Sequence, residues 1–125
     1  MRRLLSTIAV LGALAVLPAC ASFSAGSDAP ISQRVTAART DLNTAGLFIA
    51  LYAAMPECGA GVQQPCHNAR VLDLLQKGQV VAKSALDAVD ALIAAGATEE
   101  KVLVALQEAE KAVVTLQNLK ANAGG

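Results

Sequence analysis

An all-α, up-down-up antiparallel three-helix bundle is the fold this 125-residue sequence predicts. Three observations carry it. Apolar residues recur at alternating intervals of three and four in three long segments, the spacing of helix faces that pack on one another. Pro56 and Gly96 separate those segments with residues that stop helices. No segment alternates apolar and polar residues as a half-buried strand would. Short links between helices of similar length then imply antiparallel neighbours.

The first predicted helix starts near Pro30, whose fixed φ suits a first helical position, with Ser27 or Asp28 nearby to cap it. Its seam is Ile31, Val35, Ala38, Leu42, Ala45, Ile49 and Tyr52, with Arg34, Arg39, Asp41 and Asn43 off it. Residues 45–55 are apolar nearly all round, so this half is expected to be covered on several sides. Eleven residues are too few to span a bilayer.

A Gly-, Gln- and Pro-rich loop follows, residues 57–65, with Gly59 and Gly61 to turn it and Pro65 to start the next helix. Helix two is predicted from about Cys66 to Ala95 on Val71, Leu75, Gly78, Ala82, Ala85, Val89 and Leu92, with Leu74, Val81, Leu86 and Ile93 widening the stripe. Gly78, Ala82 and Ala85 permit a close helix approach, with large residues such as Leu42 and Leu106 filling in from opposite faces. Gly96 ends this helix, and Thr98 is placed to cap the third. Glu99 and Glu100 sit in its first turn, where the helix dipole favours anions. Helix three runs to about Lys120 on Val102, Leu106, Ala109, Val113 and Leu116. The predicted organisation is therefore a leader over residues 1–19, a flexible tether over 20–29, a three-helix domain over 30–122 and a frayed tail over 123–125.

The leader is the most specific signal. Met1-Arg2-Arg3 is a cationic start, Leu4 opens an apolar run that reaches Leu17, and Leu17-Pro18-Ala19-Cys20 closes it. That ending resembles the lipobox of bacterial lipoproteins. The resemblance covers the first twenty residues and implies nothing about the fold of the rest. It implies a diacylglyceryl group on the Cys20 sulfur, cleavage before Cys20, and acylation of the new amino group with a chain such as palmitate. Leu17 matches the large apolar position at −3 and Ala19 the small one at −1, whereas Pro18 departs from the commoner Ser, Ala, Thr or Val at −2. A thiolate is the nucleophile such lipidation requires. Two or three acyl chains hold a protein stably, since each buried methylene contributes about 0.8 kcal/mol. The implied location is the bacterial cell envelope, lipid-anchored and facing the periplasm. Ala21 rather than Asp after the cysteine tilts the family expectation toward the outer membrane.

Composition narrows the activity by exclusion. The formal charge is zero and turns slightly acidic without Arg2 and Arg3, so there is no basic patch for nucleic acid. Phe23, Phe48 and Tyr52 are the whole aromatic complement, which disfavours carbohydrate and base-stacking platforms. Of three cysteines, Cys20 is assigned to lipid, leaving Cys58 and Cys66 as an even pair in an oxidising compartment. Seven residues separate them at the ends of a loop between antiparallel helices, which predicts a structural disulfide. Metal binding by Cys58, Cys66, His67 and Glu57 fits no zinc spacing. Gln63 stands where a haem-attachment motif needs its first cysteine, and a redox pair prefers two intervening residues. His67 is expected to face solvent in the first turn of helix two.

The carboxylates Glu57, Asp73, Asp87, Asp90, Glu108 and Glu110 mostly fall off the seams, where charges face water. Asp73–Lys77 and Lys83–Asp87 are spaced as helix-surface pairs. The only histidine has no acidic neighbour at helical spacing, and Gly59 and Gly61 follow no strand. The sequence thus predicts no enzyme, cofactor or metal. It predicts a small lipid-anchored structural or protein-interaction module, meeting the membrane through its lipid and either an envelope protein or another copy of itself. The alternatives are a phage- or stress-related lysis lipoprotein that perturbs membranes, which needs an exposed apolar surface, and a carrier of a small apolar ligand, which needs a cavity.

Overall fold

A computed structural model describes residues 28–124. The predicted leader and all but the last two residues of the predicted tether, Cys20 included, lie outside the described residues. Three helices follow one another: α1 (Ile31–Ala54), α2 (Ala69–Ala94) and α3 (Glu99–Gly124). Each packs on both others, and α2 with α3 forms the most extensive pair. Among the described residues there is no strand, only an isolated bridge between Glu57 and His67. The fold is the all-α three-helix bundle that the seam spacings imply.

Contacts along the helices set their directions. Arg34 meets Glu110, the Asp41 carbonyl meets Gln117, and Gly124 lies against Phe48, so α1 and α3 run parallel. Gly46 lies against Gln79 and Arg39 against Asp90, so α2 runs antiparallel to α1. The chain therefore goes up, down and up. The loop between α1 and α2 shares one end with the α3 C-terminus, and the short link at Gly96 lies at the other.

The predicted seams form the core. Ala38, Leu42, Ala45, Ile49 and Tyr52 of α1 are buried, as are Leu75, Ala82 and Val89 of α2 and all five predicted positions of α3. Small residues admit close approach where expected. A Cβ built on Gly78 would lie 3.2 Å from Leu116 Cδ1 and 3.4 Å from Leu119 Cδ1. The side chains that close over Gly78 are thus Leu116 and Leu119. Ala82 has no exposed surface, so Ala82→Leu must displace its neighbours. It is expected to lower stability by roughly 1–3 kcal/mol, read from the denaturant midpoint at unchanged m-value. A neutral result would contradict the packing of this face.

Helix ends agree with the predictions before Pro56, where α1 stops at Ala54 with an extended Met55, and at the Gly96 link, and differ elsewhere. At Gly96, φ is +70°, Ala97 N–H donates to Leu92 O at 3.0 Å and Gly96 N–H to Ile93 O at 3.1 Å. This is a Schellman stop, which needs a left-handed residue that glycine supplies without strain. Thr98 O then accepts from Val102 N–H at 3.1 Å, opening α3. Pro30 is the N-cap of α1 rather than its first residue, and among the described residues no side chain caps that helix. Helix α2 starts at Ala69, three residues after the predicted Cys66, because Asn68 caps it by accepting from the N–H groups of Arg70 and Val71. Helix α3 continues past Lys120 to Gly124, so residues 123 and 124, expected in a frayed tail, are helical. Phe48 lies on that last turn: a Cβ on Gly124 would come within 3.1 Å of its ring.

Residues 45–55 also differ from expectation. They are covered on one side only: Leu47 is 70% and Leu51 68% exposed, and Ala50, Ala53 and Ala54 are exposed with them. The physical reason is geometric. A helix with two neighbours can bury little more than half its circumference, whatever the composition of the rest.

Candidate functional site

The predicted lipidation residue, Cys20, lies outside the described residues. The other predicted site residues, Cys58 and Cys66, come together at the end of the bundle formed by the α1–α2 loop. Their sulfurs are 2.01 Å apart and their Cα atoms 5.0 Å apart, a disulfide. The loop it closes is also held by backbone bonds: Cys58 N–H donates to His67 O, and His67 N–H to Pro56 O, both at 2.8 Å. Gly61, at φ +82°, makes the turn at the tip.

His67 is not the solvent-facing helical residue that its place after Cys66 implies. It precedes α2, is half-buried, and its Nδ1 donates to Met55 O at 2.6 Å. Its ring centroid lies 5.9 Å from that of Tyr52. The buried Tyr52 hydroxyl in turn accepts from Asn68 N–H at 2.9 Å. These bonds tie the last turn of α1 to the first of α2 beside the disulfide. Tyr52 and Asn68 are the members of this site that seam reasoning misses, because their pairing depends on how the loop folds back. The signal available was Asn68 itself, a strong capping residue three positions after a proline.

The site is a tip braced by a disulfide and hydrogen bonds. Bonded cysteines offer neither a thiolate nucleophile nor a thiolate ligand. Among the described residues, no group of three His, Cys, Asp or Glu side chains could hold a metal ion. Among them, too, no helix is long and apolar enough to cross a membrane.

A second polar feature lies within the bundle. Arg34, expected off the seam, is buried: its Nε and Nη2 donate to the two carboxylate oxygens of Glu110 at 2.8 and 2.7 Å, with the side chains 5% and 13% exposed. The hydrogen bond to Glu110 raises the guanidinium pKa further above its already high value, against the effect of burial. The pair is bidentate, the geometry in which an arginine specifies one partner orientation. Glu110 is thus an exception among carboxylates expected to face water. Outside the core, Asp73–Lys77 and Lys83–Asp87 form the predicted pairs at 2.7 and 2.6 Å, and Arg39 reaches Asp87 and Asp90 on α2.

Two carboxylates shift in opposite directions. Burial raises the pKa of Asp41, with Lys120 opposing; the hydrogen bond from Lys83, with Arg39 adding to it, lowers that of Asp87. A raised carboxyl favours folding when protonated, and that contribution is lost as pH climbs through its folded pKa. Near neutral pH the charged Asp41 therefore costs stability. Asp41→Asn is expected to raise the midpoint at pH 7, and the gain should vanish below the ordinary value of 3.8, where Asp41 is neutral in both states. Asp87 acts in the opposite sense, its contribution present above 3.8 and lost in acid. Comparison of the whole chain with protein-family models, curated proteins and solved structures finds no match.

Proposed function

We propose that the chain is a lipid-anchored protein of the bacterial envelope whose helical body acts by binding rather than by catalysis. The observation that carries this reading is the order of residues 1–20: a cationic start, a short apolar run, then Leu17-Pro18-Ala19-Cys20. The Cys58–Cys66 disulfide supports it, since such bonds persist outside the reducing cytosol. The body adds two surfaces: a braced tip at one end, and an outer face on α1 where Leu47 and Leu51 are exposed. An anchor confines such surfaces to a thin layer beside a membrane and raises their effective concentration toward any partner held there.

Membrane fractionation tests the anchor. The wild-type chain should sediment with membranes and take up a labelled fatty acid, and Cys20→Ala should take up none. Label that persists in the variant would refute acylation at this residue.

The exposed Leu47 and Leu51 also favour a second reading, a lysis or stress lipoprotein that inserts an apolar surface into a bilayer. That reading requires vesicle leakage that depends on these two leucines. Undiminished leakage by Leu47→Lys would count against it.

A further inference from the structure

The three helices are not equally self-sufficient. Asn68 caps α2, and Glu99 and Glu100 favour the first turn of α3. Among the described residues α1 has neither device, and no basic residue stands in its last turn. Ion pairs within the helix brace α2, at Asp73–Lys77 and Lys83–Asp87, and α3, at Glu108–Lys111; among the described residues none lies within α1. Its threonines work against it. Thr36, Thr40 and Thr44 donate to the carbonyls of Ser32, Thr36 and Thr40 at 2.8, 2.9 and 2.9 Å, bonds that weaken and bend a helix. Helix α1 therefore owes its order to docking, yet α2 and α3 make the most extensive pair.

The two ends of α1 are held differently. At the tip, the Tyr52 hydroxyl accepts from Asn68 N–H, His67 bonds to Met55 O, and the Cys58–Cys66 ring closes the connection covalently. Phe48 stacks on Tyr52 there, lies against Gly124 and has Lys120 Nζ 5.8 Å from its ring centre. Toward the other end, side-chain ion pairs take over. Arg34 meets Glu110 of α3, and Arg39 meets Asp87 and Asp90 of α2, so one arginine serves each neighbour. The seam residues beside them, Ile31 and Val35, are only half-buried. Both kinds of pair part at small cost. The Arg39 pairs are open to solvent and screened. Arg34 and Glu110 regain water when they separate, so their bidentate pairing sets where α1 seats more than how firmly.

We propose that α1 is a releasable arm, hinged at the disulfide tip and latched at its other end by Arg34 and Arg39, which leaves an α2–α3 pair that stays folded. Release uncovers surfaces that the closed bundle hides: Ala38, Leu42 and Ala45 on the arm, and the sides of α2 and α3 beneath them. The braced tip keeps the arm beside its seat, and the two arginines bring it back to one register. Nothing in this device depends on lipid at Cys20.

Undocked, α1 is too poor a helix to persist alone in water, so its release frees its amide protons to exchange. The α2–α3 pair keeps its own amides bonded until the whole chain unfolds. Gly96 separates these two events. It holds φ at +70° in the α2–α3 link, and a Cβ built on it would meet nothing within 4 Å. The penalty of Gly96→Ala is therefore backbone strain, which is present whether the arm is docked or released and disappears only on global unfolding.

Hydrogen exchange of the full chain, followed amide by amide at neutral pH, tests the arm. Residues 35–46 are expected to exchange together, on the order of a hundredfold faster than the slowest amides of α2 and α3, and faster than residues 49–54 beside the hinge. Gly96→Ala should speed the slowest amides of α2 and α3 by roughly five- to thirtyfold and leave residues 35–46 unchanged. Arg39→Gln should speed residues 35–46 by roughly two- to fivefold, the effect of losing exposed ion pairs. A bundle that opens only as a whole would show one slowest rate in all three helices, or would speed all three alike on Gly96→Ala; either result overturns the arm. Fast exchange confined to residues before Ala38 is fraying of a helix end and overturns it too. Equal rates along the whole of α1 remove the hinge, and an Arg39→Gln chain that exchanges like wild type removes the latch.

Discussion

Glu110→Ala is expected to be among the most damaging single substitutions in the bundle, lowering stability by about 3–5 kcal/mol. The reason is the residue left behind. Arg34 keeps its charge at any accessible pH, and its side chain is 5% exposed in the bundle. Without Glu110 it must stay unpaired in a poorly solvated position or pull away from the core and open the α1–α3 contact. For a domain of this size the loss is a large part of an ordinary folding free energy of about 5–15 kcal/mol, and each kcal/mol moves the thermal midpoint by roughly 4–8 °C. The paired replacement Arg34→Met with Glu110→Leu should be far milder, because it removes both charges and fills the space with apolar atoms. Thermal melts of the two single variants and the double variant check this. Single and double variants that are equally destabilised would contradict the ion pair as the cause.

Replacing Cys58 and Cys66 together by serine is expected to cost roughly 2–3 kcal/mol, the loop-closure entropy of so short a ring in the unfolded chain. Because that entropy resides in the unfolded state, the helices should keep their circular dichroism at low temperature. The loss should appear as a lower midpoint, equal to that of the wild-type chain under reducing conditions. The two measurements agreeing assigns the effect to the bond itself. A reduced wild-type chain with an unchanged midpoint would show that the bonds of Tyr52, His67 and Asn68 hold the tip without it.

Much of the fold was legible because helix packing leaves a local trace. Leu42, Leu75 and Leu106 each stand in a run of residues three and four apart, and such runs need no knowledge of the partner. Gly96 was legible for the same reason: a stop needs one residue with a left-handed φ, and glycine provides it. Arg34 and Glu110 were not, because they stand 76 residues apart and only the parallel packing of α1 on α3 joins them. Taken alone each looks like a surface charge. The start of α2 was misplaced because Pro65 imitates a first helical residue, whereas the disulfide and the His67 bonds hold residues 65–67 in the loop. The exposure of Leu47 and Leu51 was hidden by composition, since an apolar segment does not reveal how many neighbours its helix has. At the candidate site, the cysteine pairing was readable from spacing, but the Tyr52–Asn68 bond depends on the loop's return path.

The two ends of the bundle have distinct parts to play. The chain enters at the α1 N-terminus, the end where the proposed anchor attaches, while the disulfide tip lies at the opposite end. The outer face of α1 runs between them.

Intact-mass spectrometry of the mature chain, purified from its membrane in detergent, decides whether lipid at Cys20 holds this protein in place. Anchoring predicts a polypeptide beginning at Cys20, heavier than its sequence by a diacylglyceryl group and one further acyl chain, with the Cys58–Cys66 bond intact. A chain that retains Met1, or one that begins at or after residue 20 with no added acyl mass, would contradict it.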